Sequence, residues 1–252
     1  MSVLRLLTWA SPAFPTGGFA YSHGLEWAVE AGDVTTEAAA LDWISAVLTD
    51  GTGRSDAILL RAAWRDFSVG LPCQGLHPTP PPNAGEGATT PFSAYGGGMS
   101  GGLSCSERPK VSHSSPVAAL ATALSSSRER LEETLHQGHA FALAAAVWSG
   151  PAEPAPYPVA FGQLARQQGV PEGDAVRAML HALAANLVSA AVRLVPLGQT
   201  AGLRILHALE PTIEQLASET QDASLDDIGS ACFRADIAAM RHETQHTRLF
   251  RS

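Results

Sequence analysis

Val176-Arg-Ala-Met-Leu-His-Ala-Leu-Ala-Ala-Asn-Leu-Val-Ser-Ala-Ala-Val-Arg-Leu194 decides the fold class. Its apolar side chains at Val176, Met179, Leu180, Leu183, Leu187, Ala190, Ala191 and Leu194 recur at steps of three and four, which stacks them along one face of a helix. Pro171 suits the first turn, where a missing N–H costs nothing, and Pro196 stops the helix. The same spacing predicts helices near 25–31, 37–49 with Thr36 as a cap, 56–68, 117–148, 159–168 and 199–209. No segment alternates convincingly with period two. The expected fold is all-α, one helical bundle-like domain over residues 1–252, in which abundant alanine lets helices approach closely.

One interval breaks the pattern. Between residues 71 and 115, fifteen of forty-five residues are glycine or proline, and only Glu86, Glu107, Arg108 and Lys110 are charged. Such a composition reads as a flexible Gly/Pro-rich insertion. Because loop-closure cost grows only logarithmically with length, a helical domain tolerates it without splitting in two. Across the whole chain, 45% of residues are hydrophobic, enough to bury a sizeable core. The 16 basic against 24 acidic residues, a net charge of -8, argue against broad binding to nucleic acid or an anionic membrane. Lys110 is the only lysine and follows no G-x-x-x-x-G pattern, so the usual phosphate-binding lysine of a P-loop nucleotide hydrolase is missing. Three scattered cysteines, Cys73, Cys105 and Cys232, fit a reducing compartment better than a disulfide scaffold. The first residues lack a secretory pattern, and the longest helical apolar stretch, 140–148, falls far short of the roughly 20 residues that span a bilayer. A cytoplasmic protein is expected.

Candidate chemistry gathers at two places. At 240–252, within Met240-Arg-His-Glu-Thr-Gln-His-Thr-Arg-Leu-Phe-Arg-Ser252, His242-Glu243-Thr244-Gln245-His246 spells H-E-x-x-H. On a helix that pattern aims two imidazoles at a zinc ion and supplies a glutamate as general base. A catalytic zinc also needs a third protein ligand, for which the six residues after His246 leave almost no room. The rival reading is a C-terminal docking tail that a partner orders: Arg241, Arg248 and Arg251 supply donor forks, and Leu249 and Phe250 supply apolar anchors. On that reading, deleting 240–252 leaves the helical fold intact. A third reading, direct nickel binding, would use His23, His139, His242 or His246. His136 with His139 at an i,i+3 spacing could meet a metal or lie on an exposed helix face. His181 and His207 sit among apolar residues and read as core or interface histidines. Cys73 with His77, and Cys105 with His113, fall inside the insertion, where a preformed metal site has little support.

The second place is Ala10-Ser-Pro-Ala-Phe-Pro-Thr-Gly-Gly-Phe-Ala-Tyr-Ser-His-Gly-Leu-Glu26. Two prolines and Gly17-Gly18 fix an irregular turn, and Phe19, Tyr21 and Trp27 then arrive beside a new helix carrying His23 and Glu26. A connector that displays aromatics beside polar groups has the composition of a protein-binding hot spot. Further along, Asp226-Asp227 reads as an acidic cap at a helix N-terminus.

Taken in order, residues 6–26, Asn186-Leu-Val-Ser-Ala-Ala-Val-Arg-Leu-Val-Pro-Leu-Gly-Gln-Thr200 and 240–252 resemble the urease accessory protein F family. The resemblance covers the chain apart from 71–115, and His246 departs from a family pattern that more usually carries an aromatic residue there. It implies an all-helical, commonly dimeric protein with no enzyme activity of its own; a homodimer with no metal site and no cofactor is expected. Its role would be a scaffold for urease maturation, binding accessory protein D (called H in some systems) and recruiting the GTP-hydrolysing accessory protein G. The assembly would insert nickel into apo-urease. By motif, the tail bearing Arg241, His242, Glu243, Arg248, Leu249, Phe250 and Arg251 would become ordered against accessory protein D. Phe19 and Tyr21, with Arg248, would lie near the surface used for protein G or for assembly, and His23 and Glu26 join them as expected partner-binding residues.

Overall fold

The computed structural model describes residues 2–66 and 115–251. Its α-helices are α1 (Ser2–Trp9), α2 (Leu25–Glu30), α3 (Glu37–Thr49), α4 (Thr52–Asp66), α5 (Pro116–Ala123), α6 (Arg128–Ser149), α7 (Tyr157–Gln167), α8 (Glu172–Leu194), α9 (Gln199–Glu219) and α10 (Phe233–His242). Short 3-10 turns occupy Gly18–Ala20 and Leu225–Asp227. No strand occurs among the described residues, and the protein is all-α as expected. Apart from Ser115, the interval 71–115 and its cysteine–histidine pairs lie outside the described residues.

The stripe that predicts α8 becomes the centre of the bundle. Val176, Met179, Leu180, Leu187, Ala190 and Ala191 are buried, and α8 touches α1, α2, α3, α4, α7 and α9. With 23 residues and a mean hydropathy of 1.5 in its most apolar window, α8 is long and apolar enough to cross a membrane by length and composition. The expectation that no helical stretch approaches that length is therefore corrected; half of the window is buried among the other helices. Trp9 and Phe14 seat α1 and the following connector on α6 and α7, with Trp9 edge-on to Trp148 at 5.9 Å and Phe14 5.5 Å from Phe141.

Several boundaries differ from their expected places for local reasons. α3 runs as predicted, with Thr36 Oγ1 accepting from Ala39 N at 3.2 Å. The single helix expected over 117–148 is two, because Ser125-Ser126-Ser127 offers the backbone competing hydrogen bonds. Ser127 caps α6 by accepting from Arg130 N at 3.1 Å. α9 continues ten residues beyond the expected 209, through Pro211, since Leu209, Ile213, Leu216 and Ala217 bury on both sides of the proline. That burial outweighs the roughly 3 kcal/mol cost of an interior proline. Asp226 and Asp227 lie in a 3-10 turn, Leu225–Asp227, rather than an α-helix, with Asp227 and Ser224 forming a capping box. His181 and His207 are exposed, not core residues, because they fall on the outer faces of α8 and α9.

Candidate functional site

α6 provides the frame on which both sequence regions meet. Glu129, Glu133 and Gln137 are four residues apart and all buried, so one polar stripe of the helix faces inward. Glu133 receives the connector: His23 Nε2 lies 3.0 Å from Glu133 Oε1, and His23 Nδ1 lies 3.3 Å from Thr52 Oγ1. Gln137 Nε2 donates to the same glutamate oxygen at 2.7 Å. Arg130 bridges Glu133 Oε2 at 3.0 Å and Asp56 Oδ2 at 2.6 Å. Burial works against the Glu133 charge, yet His23 and Arg130 prevail and hold its carboxyl down at about 2. Burial pushes Asp56 above the ordinary carboxylate range in spite of Arg130. Burial, aided by Glu133, also raises Tyr21, whose hydroxyl stands 3.5 Å from His136 Nδ1. A cavity of about 40 Å³ reaches this cluster, with Tyr21, His23, Asp56, Arg130 and Glu133 among its lining residues.

One turn earlier on α6, Glu129 receives the C-terminal tail. His242, at the end of α10, is 0% exposed. Its Nδ1 lies 2.8 Å from Glu129 Oε2 and its Nε2 lies 3.0 Å from Glu26 Oε2. Glu26 also accepts from Leu249 N at 2.6 Å and Phe250 N at 2.9 Å, and Glu129 accepts from Arg248 Nη1 at 2.9 Å. Each ring nitrogen of His242 thus faces a carboxylate oxygen, and the form of the imidazole that satisfies both contacts is the one that donates from both nitrogens. Burial opposes the imidazolium, but the hydrogen bonds and charges of Glu129 and Glu26 outweigh it and raise the His242 pKa above its ordinary value. Two carboxylates, one imidazolium and one guanidinium thus balance in charge.

Local backbone shape permits the clamp. Gly24 adopts φ +75°, and a Cβ there would come within 2.7 Å of Ala239 N and 2.9 Å of Ala235 O. Only glycine combines that conformation with so close an approach of α10. His23 before it holds φ 52°, an uncommon left-handed conformation for a residue with a side chain. Beyond α10 the tail turns back over the connector. Phe250 is 5% exposed beneath the Arg193 guanidinium, 4.5 Å from its ring centroid; Arg193 Nη2 donates to Phe19 O and Arg251 N donates to Ala20 O.

The structure thereby sorts the sequence candidates. Tyr21, His23, Glu26, His242 and Phe250 are buried, whereas Phe19 (60% exposed), Leu249 (76%), Arg241, Arg248 and Arg251 reach the surface. Arg241 lies 5.9 Å from the Trp27 ring centroid. Glu243, far from acting as a base beside a metal, accepts from Arg128 N at the start of α6. The H-E-x-x-H spelling is not a helical metal motif here, because α10 ends at His242 and His246 is exposed beyond it. Both nitrogens of His242 are already engaged, and among the described residues no group of three or more His, Cys, Asp or Glu is arranged to hold a metal ion. Within this chain the tail packs on its own connector and on α6, through Glu26 and Glu129. Sequence reasoning missed Glu129, Glu133, Arg130 and Arg193. The spacing Glu129-x-x-x-Glu133-x-x-x-Gln137 was the available signal for the first two; Arg193 lay unremarked inside the second family-like motif.

These features define an all-α protein whose N-terminal connector and C-terminal tail combine, through buried ion pairs, into one shared surface. Residues 34–210 match the UreF family model. The chain is 46% identical over 252 residues to the urease accessory protein UreF of Cereibacter sphaeroides strain KD131, covering 100% of this chain and 99% of that one. It is 43% identical over 261 residues to the protein of that name from Rhodopseudomonas palustris strain BisA53, covering 100% and 93%. For that of Bradyrhizobium sp. strain BTAi1 the identity is 42% over 260 residues, with 100% and 92% covered. The chain belongs to the UreF family of urease accessory proteins.

Proposed function

We propose that this protein is a non-enzymatic, homodimeric, cytoplasmic scaffold for urease maturation, binding accessory proteins D (or H) and G and coupling GTP-dependent nickel insertion to apo-urease. Family membership supports the urease assignment, and the tail surface supports the binding of a protein partner. Phe19, Leu249, Arg248 and Arg251 are exposed on segments that are themselves fixed, so a partner binding there need not order the tail. Phe233, Ile237 and Met240 add an exposed apolar stripe at i, i+4 and i+7 along α10. An apolar stripe beside guanidinium groups suits a docking face for accessory protein D.

Deletion of 240–252 is a poor test, contrary to the sequence expectation, because it strips His242 and Arg248 from two buried glutamates. Surface variants avoid that fault. Ile237→Asp with Leu249→Asp should abolish co-purification with accessory protein D, and with it recruitment of G, while thermal unfolding stays near wild type. Undiminished capture of both partners by the double variant would overturn the scaffold reading.

A further inference from the structure

His242 is joined to everything that fixes the tail. Its two nitrogens meet Glu26 of α2 and Glu129 of α6, and those glutamates in turn accept Leu249 N, Phe250 N and Arg248 Nη1. A neutral imidazole has one N–H and one lone pair. Deprotonation therefore turns one of the two contacts, at 2.8 or 3.0 Å, into lone pair against carboxylate, around an imidazole that is fully buried. The remaining charged groups nearby do not replace it. Arg248 is committed to Glu129, Arg193 covers Phe250 from α8, Arg241 lies by Trp27, Glu243 faces Arg128 N, and Glu30 of α2 accepts from Gln245 Nε2.

The geometry points to His242 as a proton-controlled latch: doubly protonated, it locks the tail and connector into one surface, and on losing a proton it releases residues 248–251. Regulation of partner binding by this latch rests on the scaffold reading above; the latch itself does not. Because the folded imidazole holds its proton more tightly than a free one, the locked state is complete below the ordinary histidine pKa of about 6.5 and fades as pH rises through the higher folded value. A rise in pH thus uncovers Phe250 and separates Leu249 and Arg251 from Phe19 of the connector.

Amide hydrogen exchange on the free full-length chain from pH 6 to 10, corrected for the intrinsic rate, tests the latch without any partner. Protection of Leu249 and Phe250 should fall about tenfold to a hundredfold, the loss of one charge-assisted hydrogen bond, while α8 amides stay protected. In the wild type, the midpoint should coincide with the His242 ring titration followed by NMR, and this arm needs no variant. His242→Gln should leave the tail open at every pH with no step. A flat pH profile, a midpoint displaced from that of the ring, or a step retained in His242→Gln would overturn the latch. Co-purification with accessory protein D at pH 6.5 and 9 separates the two ideas: a tail that opens without loss of capture counts against regulation through the scaffold surface and leaves the latch standing.

Discussion

Glu26→Gln is the sharpest probe of how the tail is held. The wild-type carboxylate accepts three donors, His242 Nε2 at 3.0 Å, Leu249 N at 2.6 Å and Phe250 N at 2.9 Å. Glutamine keeps the shape but turns one oxygen into an NH2 group. If that group takes the Oε1 place it opposes Leu249 N, and if it takes the Oε2 place it opposes Phe250 N and His242. Either orientation sets donor against donor and removes a negative charge from beside a buried imidazolium. Hydrogen bonds to charged groups contribute about 1.5–3 kcal/mol each, so the docked tail should lose roughly 2–4 kcal/mol. At 1.4 kcal/mol per tenfold, protection of the Leu249 and Phe250 amides should drop roughly 30- to 700-fold. Hydrogen exchange read by NMR at pH 6.5 measures this directly, with α8 amides as the internal reference. Wild-type protection at the two tail amides would refute the clamp, and so would an equal loss throughout α8.

Four further outcomes follow from the same geometry. Arg248→Ala leaves the buried Glu129 Oε1 without its donor, so the protein should lose about 1–3 kcal/mol in thermal unfolding while capture of accessory protein D weakens. Arg61→Ala should cost about 1–3 kcal/mol in urea unfolding, since it takes the buried Ala217 carbonyl's guanidinium donor away, while Glu172 keeps Arg65 and Thr220 keeps its bond to Leu216 O. Pro211→Ala should raise the melting temperature, restoring a backbone donor inside α9 for a gain of up to about 3 kcal/mol, checked by circular dichroism. Glu133, held at about 2, contributes stability that is complete above its ordinary value of 4.5 and lost as pH falls toward 2. Glu133→Gln should flatten the acid limb of the stability curve over that window.

Helix identity was legible wherever one face is apolar and the other polar. α8 and α3 appear in the sequence almost to the residue, because their side-chain spacing and Thr36 act locally. α9 past Pro211 was not legible, because the burial that carries it through the proline comes from distant helices. At the site, composition alone brought the aromatics of the connector and the arginines of the tail to notice. What composition hides is which histidine is buried. His242 and His246 look equivalent as letters, yet one sits between two glutamates more than one hundred residues away in sequence and the other faces solvent. Only the inward stripe of α6 distinguishes them, and a stripe of glutamates on a helix otherwise reads as a solvated face.

The clamp also governs the order in which this molecule can fold. The bonds from Glu26 to Leu249 and Phe250 close loops of 223 and 224 residues, among the longest closures the chain makes. Contacts so distant in sequence become favourable only once the intervening helices have shortened the gap between their ends. The surface shared by connector and tail is therefore assembled late, after α6 and α8 are in place to receive it. A half-folded chain cannot display that surface, so whatever recognises it selects finished molecules and passes over incomplete ones.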